Sequence, residues 1–286
     1  EITGFLKNAV RLSTLLASNM AAIERIGEYG DCFRDKNSDE KPLVPREAAE
    51  VVSLTNDAWT PSIGSIVVDD AKMRYRDGPL VLKGVSLSIQ GGHRVGVVGR
   101  TGSGKSSLAA ALFRIVELDG GSISIDGMDT RKLGLRELRR GLFIIPQDPV
   151  LFSASLRFNV DPFDEYSDDE VLGALKKAEL GSLVKSYDKG LQEVLQEGGS
   201  NLSVGQRQLV CIARALLRKP RILVLDEATA SIDNETDAAI QRQIRDGFVG
   251  STTITIAHRL HTILDSDRVL VLDDGKVLEY DAPATL

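Results

Sequence analysis

The 286-residue sequence predicts an α/β protein built around a mostly parallel sheet. Three observations carry that expectation. From Ile63 onward, apolar strand-like runs alternate with segments of helical period. The run RILVLDE at 221–227 is apolar on both faces, as a central parallel strand covered by helices on each side must be. HRVGVVG at 93–99 ends in glycines where a helix-like stretch begins. Early antiparallel strands and a mainly helical insertion, roughly 148–215, complete the expected architecture.

Hydrophobic content of 42% and charged content of 27% are ordinary for a globular protein. The net charge of -6 gives no electrostatic reason to expect a nucleic-acid partner, although it does not exclude a local basic groove for phosphates. Cys32 and Cys211 lie far apart and match no metal or redox spacing. They read as reduced thiols of a cytosolic domain, with one disulfide as the alternative. There is no signal-peptide pattern, and no stretch reaches the roughly 18 apolar residues of a membrane span. The longest candidate, Ile2 to Ile23, is broken by Lys7 and Arg11. The chain opens at Glu1 without methionine and stops at Leu286, which suggests a piece of something longer.

In chain order, residues 1–29 place Ile2, Phe5, Leu6, Ala9, Leu12, Leu16, Met20 and Ile23 on one stripe of a helix. Such a helix either lies on this chain's own domain or is the cytosolic end of a membrane-domain helix. Residues 30–62 are polar, charged and broken by Pro42 and Pro45, and read as a linker. Trp59 there reads as a packing anchor. Strands are expected over Ile63 to Tyr75, in VLKGVSLSI (Val85, Leu87 and Ile89 inward), in HRVGVVG and in SISID (Ile123 and Ile125 inward). RILVLDE, TTITIAH and RVLVLDDGKVLEY come next, the last with an Asp-Asp-Gly hairpin signal. Helices are expected near 105–114, 135–141, 168–179, 203–218 and 234–247.

GRTGSGKSS at 99–107 carries the most specific chemistry. Gly99, Gly102 and Gly104 let the backbone curl so that successive N–H groups point at a phosphate. Lys105 adds charge for the β- and γ-phosphates, the Ser106 hydroxyl suits Mg²⁺, and the helix beyond contributes its positive end. ILVLDE at 222–227 ends its strand in two carboxylates. Asp226 is placed to hold a magnesium-bound water, and Glu227 to polarise an attacking one. By itself such a strand end is often a simple cap; downstream of a phosphate loop it gains force. NLSVGQRQ at 201–208 sets Ser203 and Gly205 at a helix start, either a second anion site or an ordinary capped helix.

The order of phosphate loop, Gln147, LSVGQ, LVLDE, Asp233 and His258 resembles the ATP-binding cassette superfamily over about residues 63–286. IPQDPVLFSASLRFNVDPF, LSVGQRQLVCIARALLR and DEATASID resemble, more closely, the second nucleotide-binding domain of multidrug-resistance-associated exporters of subfamily C. The segment before residue 63 is similar to the stretch just beyond that family's last membrane span. The resemblance implies a phosphate-loop NTPase core of mostly parallel sheet, an antiparallel β subdomain and a helical subdomain.

It implies ATP bound by Tyr75, which stacks on adenine, and by Gly99, Thr101, Gly102, Ser103, Gly104, Lys105, Ser106 and Ser107. Mg²⁺ falls to Ser106, Gln147 and Asp226, and catalysis to Glu227, His258 and Gln147. Ser203, Gly205, Gln206 and Asp233 would meet a nucleotide across an interface with the first nucleotide-binding domain of the same transporter, head to tail. The Gln147 loop would face the membrane domains. Plainer roles stand beside these: a strand-end core tyrosine for Tyr75, a solvated amide for Gln147, a core histidine for His258, a helix cap for Asp233. Cys211 reads as core, and His93 and His261 receive no role.

The signature has Val204 where many cassettes have glycine, a variant that resembles the subfamily's second cassette, as does glutamate at 227. The implied activity is ATP-driven export of organic anions or conjugates across a plasma or vacuolar-type membrane, with this domain on the cytosolic face. A nucleotide-sensing cassette gating a channel is the alternative. Only 97 residues separate Lys105 from Ser203, too few for the coiled coil of a chromosome-organising relative.

Overall fold

The computed structural model describes residues 59–226, 234–256, 263 and 265–285, with backbone alone over 234–239. The expected helix at 1–29 and most of the linker lie outside that set, as do Cys32, Glu227, Asp233, His258 and His261. In chain order the strands are β1 Ile66–Arg74, β2 Leu80–Ile89, β3 Arg94–Val98, β4 Gly120–Ile125, β5 Met128–Asp129, β6 Leu142–Ile145, β7 Ile222–Asp226, β8 Thr252–Ile256, β9 Arg268–Asp273 and β10 Lys276–Asp281. The helices are α1 Lys105–Leu112, α2 Leu135–Gly141, α3 Leu156–Val160, α4 Asp168–Lys177, α5 Gly181–Ser186, α6 Val204–Arg218 and α7 Asn234–Gly247.

The strands form two sheets. One is antiparallel, in the order β2-β1-β4-β5. The other runs β10-β9-β3-β8-β7-β6 and is parallel apart from β10, which returns from β9 through the Asp-Asp-Gly turn. The β7 residues explain its central place. Ile222 and Val224 join a core shared with β1, β2, β3 and α1, whereas Leu223 and Leu225 join the core of the helical region. Alternation across a strand thus feeds two cores at once.

Local chemistry sets the helix ends. Ser167 and Glu170 form a capping box at the start of α4, whose first turn is acidic and last turn carries Lys176 and Lys177. Ser203 and Gln206 form the same device on α6. The helices expected near 105–114, 135–141, 168–179, 203–218 and 234–247 all form. Four short strands and helices were not expected: the two-residue β5, β6, whose four apolar residues are squeezed between Gly141 and Pro146, and α3 and α5, of five and six residues.

The two sheets are stapled together by residues 62–65. The Asp126 carboxylate accepts from the backbone N–H groups of Ser62, Ile63, Gly64 and Ser65 at 2.7–3.1 Å. The Thr252 hydroxyl, at the start of β8, donates to the Gly64 carbonyl at 2.7 Å. Burial alone would raise the Asp126 carboxyl, but those amides and the Ser65 hydroxyl outweigh it and hold it at about 2.

Candidate phosphate-binding site

The site grows out of the end of β3. After Val98 the chain turns through Gly99–Gly104 and enters α1 at Lys105, with Gly104 as the N-cap residue. Gly102 has φ 81°, and a Cβ placed there would meet nothing within 4 Å. Conformation, and not crowding, therefore demands glycine at this position, and the loop face beside it stays open to a ligand. Lys105 is 7% exposed, and its Nζ donates to the carbonyls of Gly99 at 2.8 Å and Arg100 at 3.0 Å. Those bonds use two of three ammonium donors and aim the group along the loop.

The Ser103 Oγ is buried with no hydrogen-bond partner among the described residues. A buried unpaired hydroxyl is costly. Beside a helix N-terminus and a buried ammonium it fits a loop that organises around an anion. Ser106 and Thr101 are exposed, while Ser107 is buried and accepts a hydrogen bond from the Tyr75 hydroxyl at 3.2 Å. Tyr75 comes directly after the last residue of β1 and is 45% exposed, so its ring is a surface group and not a core one.

Strand register gathers the remaining groups. Val97 of β3 pairs with Ile256 of β8, and Ile256 pairs with Asp226 of β7. Leu225 pairs with Ile145, the last residue of β6, so Pro146 and Gln147 leave the sheet level with Asp226. The loop after β3, the half-buried Asp226 and the exposed Gln147 therefore share the carboxyl edge of the sheet, where open α/β sheets bind ligands. Among the described residues no group of three His, Cys, Asp or Glu side chains could hold a metal. One carboxylate and one hydroxyl suit Mg²⁺, which keeps waters and takes phosphate oxygens as ligands.

Ser203 is exposed at the start of α6, with its hydroxyl accepting from Gln206 N at 3.1 Å and its own N–H donating to Gln206 Oε1 at 2.9 Å. Here Ser203 and Gln206 cap their own helix, and Gly205 is half-buried between them. Residues 219–221 connect α6 to β7. Cys211 is buried in the helical core, and burial pushes its thiol up.

One contributor was missed by sequence reasoning. Gly275, read only as a hairpin residue, donates its N–H to the Ser103 carbonyl at 3.1 Å and accepts from Lys83 N at 2.8 Å. Its φ is 75°, and a Cβ there would collide with the Val81 carbonyl oxygen. The β9–β10 turn thus latches the 99–104 loop to the antiparallel sheet. The Asp-Asp-Gly signal identified the turn, but nothing local could reveal its partner 172 residues upstream.

The model of the ABC transporter family matches residues 82–230, and the chain belongs to that family as one of its cassettes. It is similar over its whole length to ATP-binding cassette sub-family C member 2 of Rattus norvegicus, at 51% identity, and to ATP-binding cassette sub-family C member 3 of Homo sapiens, at 50%. It spans 18% of the length of each. ABC transporter C family member 3 of Dictyostelium discoideum is 49% identical, and the chain spans 20% of it. Among solved structures, a bacterial Atm1-family ABC exporter with ATP bound matches at TM-score 0.74 and 36% identity, over 80% of this chain and 41% of that one.

Proposed function

We propose that this chain is the ATP-binding and ATP-hydrolysing motor cassette of a membrane exporter, the second nucleotide-binding domain of its protein. The observation that carries the reading is the buried Lys105 in an open-faced glycine loop, on the same sheet edge as Asp226 and Gln147. In this reading Tyr75 offers its exposed ring to adenine, and the loop amides, Lys105 and Ser107 hold the phosphates. Ser106, Gln147 and Asp226 would hold Mg²⁺, which when bound neutralises charge on the β- and γ-phosphates. Glu227 takes a proton from the attacking water, and His258 orients that carboxylate.

The capped start of α6 has an obvious use. One chain needs a single phosphate loop, so Ser203, Gly205 and Gln206 serve the nucleotide of a facing first cassette, head to tail, and Asp233 couples the two. Nucleotide binding closes the pair, and hydrolysis reopens it. Residues 1–29 then form the cytosolic end of a membrane-domain helix and residues 30–62 a linker. The cassette, 63–286, lies on the cytosolic face, with its helical subdomain at about 148–215 and the Gln147 loop toward the membrane domains. Organic anions or conjugates are the proposed cargo. Vesicles carrying the full-length protein should accumulate such anions with MgATP and not with a non-hydrolysable analogue. Equal uptake with both would refute the motor reading.

A further inference from the structure

The loop that carries Gln147 is held at both ends by one helix. At its start, the Gln208 Nε2 donates to the Pro146 carbonyl at 3.3 Å; Gln208 is 1% exposed, so this amide reaches the loop from inside the core. At its end, Arg214 Nη1 donates to the Val150 carbonyl at 3.0 Å. Arg214 also bonds the Asn159 carbonyl through Nε and the Asn159 Oδ1 through Nη2, and Asn159 in turn ties both the N–H and the carbonyl of Phe152. Gln147, Asp148 and Pro149 are strung between these two anchors. Both anchors belong to α6, six residues apart, or about 9 Å along the axis. The N-cap of α6 is Ser203.

We propose that Gln208 and Arg214 are positioning residues, which make the placement of Gln147 follow the placement of α6. Gln147 is exposed and sits in no regular element, so its own surroundings do little to fix it. Pro146 cannot donate a backbone hydrogen bond, so its carbonyl is the handle it offers. Whatever engages Ser203 at the head of α6 therefore reaches Gln147 through two side chains of the same rigid helix. This rests on the reading that Gln147 serves the metal and water of a hydrolytic site. A displacement of order 1 Å in such a group can cost about 10²-fold in rate, while groups that bind the nucleotide are untouched.

The test is a double-mutant cycle in the full-length protein. Magnesium-dependent ATPase is measured for wild type, Gln208→Leu, Gln147→Ala and the double variant, with Gln208→Glu as a shape-preserving second substitution. Gln208→Leu and Gln208→Glu should each lower kcat by at least about fivefold, leave KM for ATP within about twofold and raise the Mg²⁺ needed for half-maximal activity. In the Gln147→Ala background, Gln208→Leu should change kcat by less than about twofold, because the residue it positions is gone. Full, multiplicative losses in the double variant, or unchanged kcat in both single Gln208 variants, would overturn the proposal. Wild-type kcat in Gln147→Ala alone would instead refute the role of Gln147, and wild type without ATPase would refute the motor reading itself.

Discussion

Replacing Asp126 by asparagine removes the charge that staples residues 62–65 to the β4–β5 turn, and the structure sets the size of the effect. Four backbone amides and two serine hydroxyls donate to this carboxylate. The carboxyl is held at about 2 in the fold against an ordinary 3.8. At about 1.4 kcal/mol per tenfold, this depression caps the stabilisation near 2.4 kcal/mol. The group is only partly buried, and screening by solvent reduces the expected loss to about 1–1.5 kcal/mol. A depressed carboxyl contributes fully above its ordinary value and loses that contribution as pH falls through about 2. The gap between wild type and Asp126→Asn, measured by urea unfolding, should therefore be widest at pH 7, shrink to about half by pH 3, and keep shrinking below. A gap that is absent at pH 7, or constant between pH 7 and pH 3, would refute the assignment of this carboxylate as the staple.

Three further outcomes are expected at the site. Tyr75→Ala should weaken ATP binding by several-fold in calorimetry, because a stacking contact of about 1 kcal/mol is lost, whereas Tyr75→Trp should preserve it. Gly275→Ala should lower the melting temperature through about 1–3 kcal/mol of backbone strain, and should loosen ATP binding because the latch to the Ser103 carbonyl is displaced. Paired with the first cassette, Glu227→Gln should bind MgATP as wild type does, hydrolyse it about 10²–10⁴-fold more slowly, and accumulate as a closed dimer on size-exclusion chromatography.

Much of this fold was legible because local signals and tertiary demands coincide. The inward sets of β2 and β4 are those that alternation marks, with Val85 and Ile125 fully buried. The run Ile222–Leu225 is buried on both faces as its composition requires. The glycine-rich turn at 99–104 was legible for the same reason, since its glycines answer to backbone curvature over a few residues. β6 escaped because four apolar residues between Gly141 and Pro146 show no period to read, and α3 and α5 because five or six residues do not complete two helical turns. Long-range partnerships escaped altogether. The Gly275 latch, the Asp126 staple and the Gln208 anchor each join segments at least 60 residues apart, and no local pattern encodes such a distance.

In the proposed function, Lys105 and the loop around it bind the phosphates of ATP. Calorimetric titration of MgATP into wild type and Lys105→Ala, both shown to be folded by circular dichroism, tests it directly. Loss of charge-assisted hydrogen bonds of about 1.5–3 kcal/mol predicts affinity lower by about 10- to 100-fold in the variant. Equal affinity in the two proteins would contradict the assignment of this loop as the nucleotide site.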